Sequence, residues 1–455
     1  MEKTEWRRKR VVLVPYPFQG HITPLLQLGS VLRSHGFSIT VLQTNFNSLD
    51  PSDHPYFTFL TLPDGLEGYD FYFNNILMMT SVMNANCKAP FEEHMSRMLE
   101  EEDGGEVACI IYDSLMKFVD IVAPKLKVPT IVFRVNPAAF THSLVILSEF
   151  LQQKLIPLPE SSDLDVMVPE AYPLRYKDFL LPVTQEIPEP VVEFIQTYTN
   201  VQSNAAVIWN SVESLDHWPL QQLLQRWSIP SFPVGPLHKS AKLLQTSLIE
   251  EDNACLSWLD RQSPNSVLFV SLGSLSVMDE EELINMAWGI AKSEQPFLWV
   301  LHPNLLNGSD PIKTLPQEFK EMTRKRGYMV KWAPQKKVLE HSAIGGFLTH
   351  CGWNSILEVL CEGVPLICRP SFGDHMVISR YITQEWKVGI EVEVKTEDGY
   401  ERAVRTLMAS EEGKMMKQRA VKLKQEIEQS INGGTSHESI ACLVEFIISL
   451  TVGRK

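Results

Sequence analysis

The run Val11-Val12-Leu13-Val14-Pro15-Tyr16-Pro17-Phe18-Gln19-Gly20-His21-Ile22-Thr23-Pro24-Leu25-Leu26-Gln27-Leu28-Gly29-Ser30-Val31-Leu32, closed by Ser38-Ile39-Thr40-Val41-Leu42, decides the fold class. Val11 to Pro15 is a compact apolar stretch of strand length, and Tyr16 to Gly20 reads as a turn. Ile22 to Leu32 then places Leu25, Leu28, Gly29 and Leu32 on one helical side, and Ser38 to Leu42 returns to a strand. Strand, helix and strand within roughly thirty residues make a βαβ unit.

The same theme continues outward. Val107 to Tyr112 and Thr130 to Phe133 repeat the strand signal, with Leu115 to Lys125 as the expected crossover helix. A second copy starts near residue 250. Ser266 to Ser271 and Phe297 to Val300 read as strands around a helix at Asp279 to Lys292, whose first turns are acidic as the helix dipole favours. Gly327 to Trp332, Ala343 to Thr349 and Val364 to Ile367 extend the pattern. The expected class is α/β, with mainly parallel sheets. A chain of 455 residues exceeds the size at which one core stops growing, so two domains are expected. Phe232-Pro233-Val234-Gly235-Pro236 marks the break between them. The division is drawn as a first domain at 1–235, a linker at 236–250, a second domain at 251–436 and a C-terminal helix at 437–455. Residues 160–190, rich in proline, read as irregular surface structure. Two such lobes predict a cleft, with ligands beyond the carboxyl ends of the strands.

Bulk properties narrow the function. With 41 basic and 55 acidic side chains the formal net charge is -14, which gives no support to a nucleic-acid partner. The strongest basic cluster, Arg7-Arg8-Lys9-Arg10, reads as a solvated terminus. The seven cysteines are odd in number and irregularly spaced, with no CxxC, so neither a disulfide framework nor a zinc site is indicated. The first ten residues are polar, and later apolar stretches are too short to span a bilayer. No leader or membrane segment is expected, and the chain reads as a cytoplasmic monomer.

The densest polar constellation is Thr349-His350-Cys351-Gly352-Trp353-Asn354-Ser355 with Glu358, between a strand and a helix. Gly352 permits close backbone approach, and Asn354 and Ser355 are candidate helix caps. Free backbone donors at that helix start make an anion site, to which His350 adds another donor. A diphosphate fits without a metal if enough donors converge. The same residues would also serve as a capped helix with a buried histidine. Gly273-Ser274 is a second, weaker glycine turn. Trp332, at an expected strand end before Ala333-Pro334-Gln335, offers an indole for a flat base. Glu358 suits ribose hydroxyls, and Asp374-His375 suits sugar hydroxyls. There is no Walker A motif, which disfavours ATP hydrolysis.

Trp332 to His375 closely resembles the donor-binding signature of plant secondary-product UDP-glycosyltransferases. The matching pieces are Trp332-Ala333-Pro334-Gln335, His341, Thr349 to Ser355, Glu358, Gly363-Val364-Pro365 and Asp374. The resemblance implies two Rossmann-like domains facing across a cleft, of the GT-B type, and a C-terminal helix returning toward the first lobe. It implies uracil stacked on Trp332 and a nucleoside held by the Ala333 backbone and Gln335. His350, Asn354, Ser355 and Ser274 then lie at the diphosphate, with Trp353 in the same segment. Glu358 holds ribose, and Asp374 with His375 holds sugar. UDP-sugar is a co-substrate in this reading; no cofactor and no metal are expected.

The first lobe separates an enzyme from a UDP-sugar-binding protein. Phe18-Gln19-Gly20-His21 follows the first strand, and Asp113 ends the strand from Val107, so both stand at carboxyl ends. A histidine can take a hydroxyl proton if a partner orients its ring. Such a histidine also serves as a cap, and such an aspartate as a turn former. The family resemblance assigns His21 and Asp113 as the catalytic pair. It also implies inverting displacement by an acceptor hydroxyl, with transfer to a phenolic carbon as an alternative. Phe18, Phe71, Tyr72, Phe73, Met78, Met79, Met83, Phe118, Phe140 and Leu144 are candidate lining for a small apolar acceptor such as a flavonoid, other phenolic, terpenoid or hormone-like molecule. Where the family usually ends its donor segment Asp-Gln, this chain has Asp374-His375, and Ile378 replaces the usual Asn. UDP-glucose is the expected donor and UDP-galactose the alternative.

Overall fold

Parallel strands covered on both faces need uninterrupted apolar runs, and the first strand shows why Val11 to Val14 is one. In the computed structural model these four residues are 0% exposed. The structure describes residues 9–69, 76–101, 105–241, 249–306 and 308–452. Phe71, Tyr72, Phe73, the middle of the expected linker (242–248), and Arg7 and Arg8 of the basic run lie outside these residues.

The chain divides into two compact units. The first comprises Met1–Val145, Glu189–Leu248 and Gln429–Lys455, and the second comprises Ile146–Pro188 and Ile249–Glu428. The first unit is built on β1 (Arg10–Val14), β2 (Ser38–Thr44), β3 (Thr58–Leu62), β4 (Val107–Asp113), β5 (Thr130–Arg134), β6 (Ala206–Trp209) and β7 (Ser231–Pro233). Their order is β3-β2-β1-β4-β5-β6-β7, and every pairing is parallel. The second unit carries β8 (Val267–Ser271), β9 (Phe297–Val300), β10 (Gly327–Val330), β11 (Ile344–Thr349), β12 (Leu366–Cys368) and β13 (Gly389–Glu391). They are again all parallel, in the order β10-β9-β8-β11-β12-β13. Each order reverses at the first strand, β1 or β8, and such a reversal is where open α/β sheets bind ligands.

Two segments cross the simple division at residue 235. Residues 146–188 group with the second unit, where Arg380 Nε donates to the Pro173 carbonyl at 2.8 Å and Arg175 forks onto Asp178. The helix Thr435–Val452 returns to the first unit. Ile440, Leu443 and Ile447 join the core around Val11, Leu13 and Phe232, and Ser436 Oγ donates to the Gly235 carbonyl at 2.6 Å. No described helix is long and apolar enough to cross a membrane.

Several boundaries differ from those expected, each for a local reason. The helix after β1 starts at Gln19, so His21 sits in its first turn. The crossover after β4 contracts to Phe118–Val122. Gly363, with φ 63°, caps the helix Trp353–Glu362 and delays the next strand to Leu366. β10 stops at Val330, so Trp332 lies in the following loop rather than at a strand end. Gly352 occupies the cap of the helix Trp353–Glu362, with no side-chain cap bond. Asn354 and Ser355 are therefore inside its first turn and do not cap it.

Candidate active site

The first unit assembles its site from two adjacent strand ends. β1 pairs with β4, so the turn leaving Val14 and the last residue of β4 are neighbours. His21 and Asp113, 92 residues apart, meet there: Nδ1 lies 2.7 Å from Asp113 Oδ2. The other carboxylate oxygen accepts from the Leu115 N–H at 3.0 Å, which locks the group. Asp113 is sealed while the His21 side chain is 23% exposed. Since Nδ1 donates to the carboxylate, the tautomer leaves the Nε2 lone pair as the proton acceptor.

Two supports were not legible in the residue pattern. The Tyr16 ring packs edge-on against His21, with centroids 5.2 Å apart, and its hydroxyl bonds to Thr80 Oγ1 at 2.8 Å. Burial, with Asp113 adding to it, pushes the Tyr16 hydroxyl well above its usual range, so it stays protonated. Asn84 Nδ2 donates to the Leu115 carbonyl at 2.9 Å, and its Oδ1 accepts from the Phe118 N–H at 2.9 Å. The loop behind Asp113 is thereby pinned to the helix Ile76–Glu100. Only the i, i+4 spacing of Thr80 and Asn84 hinted at a polar stripe there.

The described apolar candidates are buried except Met78, with Phe18 5% and Phe140 7% exposed. Phe18 immediately precedes the His21 helix and packs on Tyr16 and Phe46. Phe140 packs edge-on against Tyr198. Met79, Met83, Phe118 and Leu144 are core residues at 0–1% exposure, with Phe118 against Phe91. Met78 is 47% exposed.

The second unit builds its site from loops. The His350 ring lies across two glycines: a Cβ on Gly352 would stand 2.4 Å from Nε2, and one on Gly273 would stand 2.6 Å away. Both positions therefore need glycine, and Gly273 also has φ +73°. This brings Ser274's loop to the start of the helix Trp353–Glu362, whose first N–H groups have no partners within the helix. Burial first, and then the Arg369 charge, lowers the His350 pKa to about 4 against a hydrogen bond to the Ser271 backbone. His350 is thus uncharged at pH 7. Gln335 Nε2 donates to Ser355 Oγ at 2.9 Å and to Glu358 Oε2 at 2.8 Å, gathering the expected nucleoside residues Gln335 and Glu358 with Ser355, expected at the diphosphate. Trp332 is half-buried, with its ring 5.6 Å from that of His302, and Ala333 is buried beside it. Trp353 packs its ring on Trp386.

Asp374 and His375 begin the helix His375–Arg380. The His375 ring meets His350 edge-on at 4.8 Å. Its Nδ1 accepts from the Phe372 N–H at 3.3 Å. Of the donor and acceptor that a neutral imidazole carries, the acceptor is thus used internally and Nε2–H remains. Burial, then His350 and Arg369, holds this imidazole well below its usual pKa. Ile378 is buried within that helix.

Comparison with known proteins adds four findings. A sequence model described as "UDP-glucoronosyl and UDP-glucosyl transferase" matches residues 66–428. The chain is 48% identical over 448 residues to UDP-glycosyltransferase 76E1 of Solanum lycopersicum, covering 98% of this chain and 93% of that protein. It is 42% identical over 452 residues to flavonol 3-O-glucosyltransferase UGT76E12 of Arabidopsis thaliana, covering 97% and 98%. A solved UDP-glucosyltransferase from Polygonum tinctorium, capable of glucosylating indoxyl and in complex with 3,4-dichloroaniline, superposes with a TM-score of 0.84 at 28% identity. That match covers 97% of this chain and 98% of the other.

Proposed function

The chain belongs to the UDP-glucoronosyl and UDP-glucosyl transferase family, as a sugar-transferring enzyme with two Rossmann-like units of the GT-B type, and on that premise we propose that it moves glucose from UDP-glucose, with inversion, onto a hydroxyl of a small apolar metabolite. The observation that carries this reading is the 2.7 Å contact between His21 and sealed Asp113. A UDP-sugar-binding protein would need no such pair.

In the proposed reaction the acceptor hydroxyl gives its proton to His21 Nε2. Asp113 holds Nδ1–H and stabilises the imidazolium that forms. The acceptor oxygen forms a bond to the anomeric carbon while the bond from that carbon to the β-phosphate oxygen breaks. UDP leaves with the electron pair from the opposite face. The N–H groups at the start of the helix Trp353–Glu362 and the neutral His350 meet the charge that grows on the phosphate. These donors support a reaction that needs no metal. Gln335 and Glu358, hydrogen-bonded to each other, suit the nucleoside, and Gln335 also holds Ser355 toward the diphosphate.

Phe18 and Phe140 support an apolar, aromatic acceptor, in keeping with the flavonol of the Arabidopsis relative's name and the dichloroaniline bound by the Polygonum protein. A second reading, UDP-galactose as donor, is favoured by His375, which has only a donor left where glutamine would offer both functions. Purified protein given equal UDP-glucose and UDP-galactose with a panel of phenolic acceptors, and analysed by mass spectrometry and chromatography, tests both. Glucoside products that vanish in His21→Ala are expected. An excess of galactoside overturns the glucose assignment. The absence of any glycoside across the panel, with UDP-sugar hydrolysed or untouched, overturns the acceptor class.

A further inference from the structure

Arg369 follows β12 and opens the loop that runs through Ser371, Phe372 and Gly373 to Asp374 and His375. Its backbone N–H donates to the Thr349 carbonyl at 2.8 Å, beside the strand that leads into His350. The residue is 3% exposed. Its guanidinium makes a two-pronged contact with Glu282, Nε to Oε1 at 2.8 Å and Nη2 to Oε2 at 2.5 Å. The remaining arm, Nη1, donates to Ser371 Oγ at 2.5 Å. Glu282 also accepts from the Tyr400 hydroxyl at 2.7 Å, and Ser276 donates to Ser371 Oγ at 3.5 Å.

Glu282 lies in the first turn of the helix Glu280–Lys292, whose Asp279 cap accepts the Glu282 N–H at 2.7 Å. That helix follows the Gly273-Ser274 loop directly. The fork thus joins the loop of the expected diphosphate contact to the loop of the expected sugar contact. Each guanidinium nitrogen meets a protein oxygen, on Glu282 or Ser371, so the fork fastens protein to protein. Net stability is a weak explanation for such a pair, because desolvating two charges offsets most of their attraction. A planar fork does, however, impose one geometry.

We propose that Arg369 and Glu282 are positioning residues for sugar transfer, setting the Asp374-His375 loop in register with the Ser274 loop so that sugar and diphosphate are presented together. The inference rests on the donor-site reading above. A misplacement of about 1 Å at a reacting carbon costs roughly 10²-fold in rate. Neither side chain is placed against the nucleotide, so the loss falls on turnover rather than on UDP affinity.

The test compares Arg369→Met, Arg369→Lys, Glu282→Gln and the Arg369→Met/Glu282→Gln double variant. It reads kcat and KM for UDP-glucose, and calorimetric Kd for UDP. The expected result is a kcat lower by about 10- to 100-fold in Arg369→Met, with the UDP Kd within about threefold of the parent. Lysine fails to rescue, because it cannot fork. The double variant is no worse than Arg369→Met alone, since the pair acts as one unit. Tyr400→Phe and Ser371→Ala, each removing one hydroxyl from the network, show the same split at smaller size and decide the matter if the charge variants do not fold. A kcat within about twofold of the parent, equal losses in kcat and UDP affinity, or additive single losses overturns the proposal. Failure of the unmodified protein to bind UDP overturns instead the donor-site reading beneath it.

Discussion

The two units use the same all-parallel scaffold and build opposite kinds of site on it. In the first, the proposed chemistry rests on one histidine and one sealed aspartate 2.7 Å apart. In the second, the proposed donor site is spread over the loops at Gly273, Trp332, His350 and Asp374, with backbone groups and several polar side chains as its means. The difference follows from the two tasks. Moving a proton needs a single acceptor of fixed orientation, whereas holding a nucleotide sugar and stabilising its leaving charge needs many donors of modest individual strength. The first site should fail abruptly when one group is lost, and the second by degrees.

The largest expected effect tests the concentrated site. His21→Ala should lower kcat by at least about 10²-fold on neutral hydroxyl acceptors, with UDP affinity unchanged. Steady-state rates beside UDP titration calorimetry check this. A kcat loss below about tenfold on such acceptors would show that proton removal is not confined to this residue.

Next comes the spacing of the second site. Gly352→Ala places a Cβ 2.4 Å from His350 Nε2, so the imidazole or the helix start must move. Overpacking of this kind costs about 1–3 kcal/mol, or roughly ten- to a hundredfold in UDP affinity, while the His21–Asp113 pair is left intact. Calorimetry with UDP measures the loss, and the His21 ring-proton resonance in NMR should be unmoved. A UDP Kd equal to that of the parent would mean that His350 has room the packing does not show.

Smaller still is Gln335→Ala. It removes the two bonds that hold Ser355 and Glu358, without removing either residue. These bonds hold the site rather than the ligand, so only about 1 kcal/mol of their combined worth reaches binding, and the KM for UDP-sugar should rise several-fold with kcat little changed. Equal falls in kcat and kcat/KM would instead place Gln335 in the transition state.

This contrast also explains what was legible in advance. The His21–Asp113 pair could be read across 92 residues because parallel pairing puts the ends of β1 and β4 side by side whatever lies between them. The donor motif was legible because its residues are contiguous from Trp332 to His375. Contacts between distant loops were not. Nothing near Gly273 in the chain announces that the His350 ring will cover it, and Glu282 reads as one of three acidic residues in a helix's first turn until Arg369 reaches it. Met83 and Phe118 looked like lining because apolar stripes facing a ligand and facing a core have the same period. The division at 235 was read from prolines. It could not show that residues 146–188 choose their partner by packing rather than by chain order, whereas the return of the C-terminal helix came from the family resemblance.

The smallest effect concerns stability, and here the units should respond to acid with opposite signs. In the first unit Asp216 is fully buried, accepting from the Ala138 and Ala139 N–H groups at 2.9 and 3.3 Å and from Ser211 Oγ at 2.5 Å. Burial outweighs these bonds and raises its pKa from 3.8 to about 6. The folded state therefore binds the proton more tightly than the unfolded chain, and this group's contribution grows as pH falls from about 6 toward 3.8. In the second unit His350 is depressed from 6.5 to about 4, so the unfolded chain binds the proton more tightly. Its contribution is lost as pH falls through that interval. Subtracting variants from the parent isolates each term, because the shared background titration cancels. The melting-temperature advantage of the parent over Asp216→Asn should widen between pH 7 and pH 4, and its advantage over His350→Gln should narrow. Each change should be no more than a few degrees in a chain of this size. The sign of each slope carries the test, since either substitution also shifts stability by a pH-independent amount. Parallel slopes for the two variants would show that burial at one of these groups is relieved by local opening before it titrates.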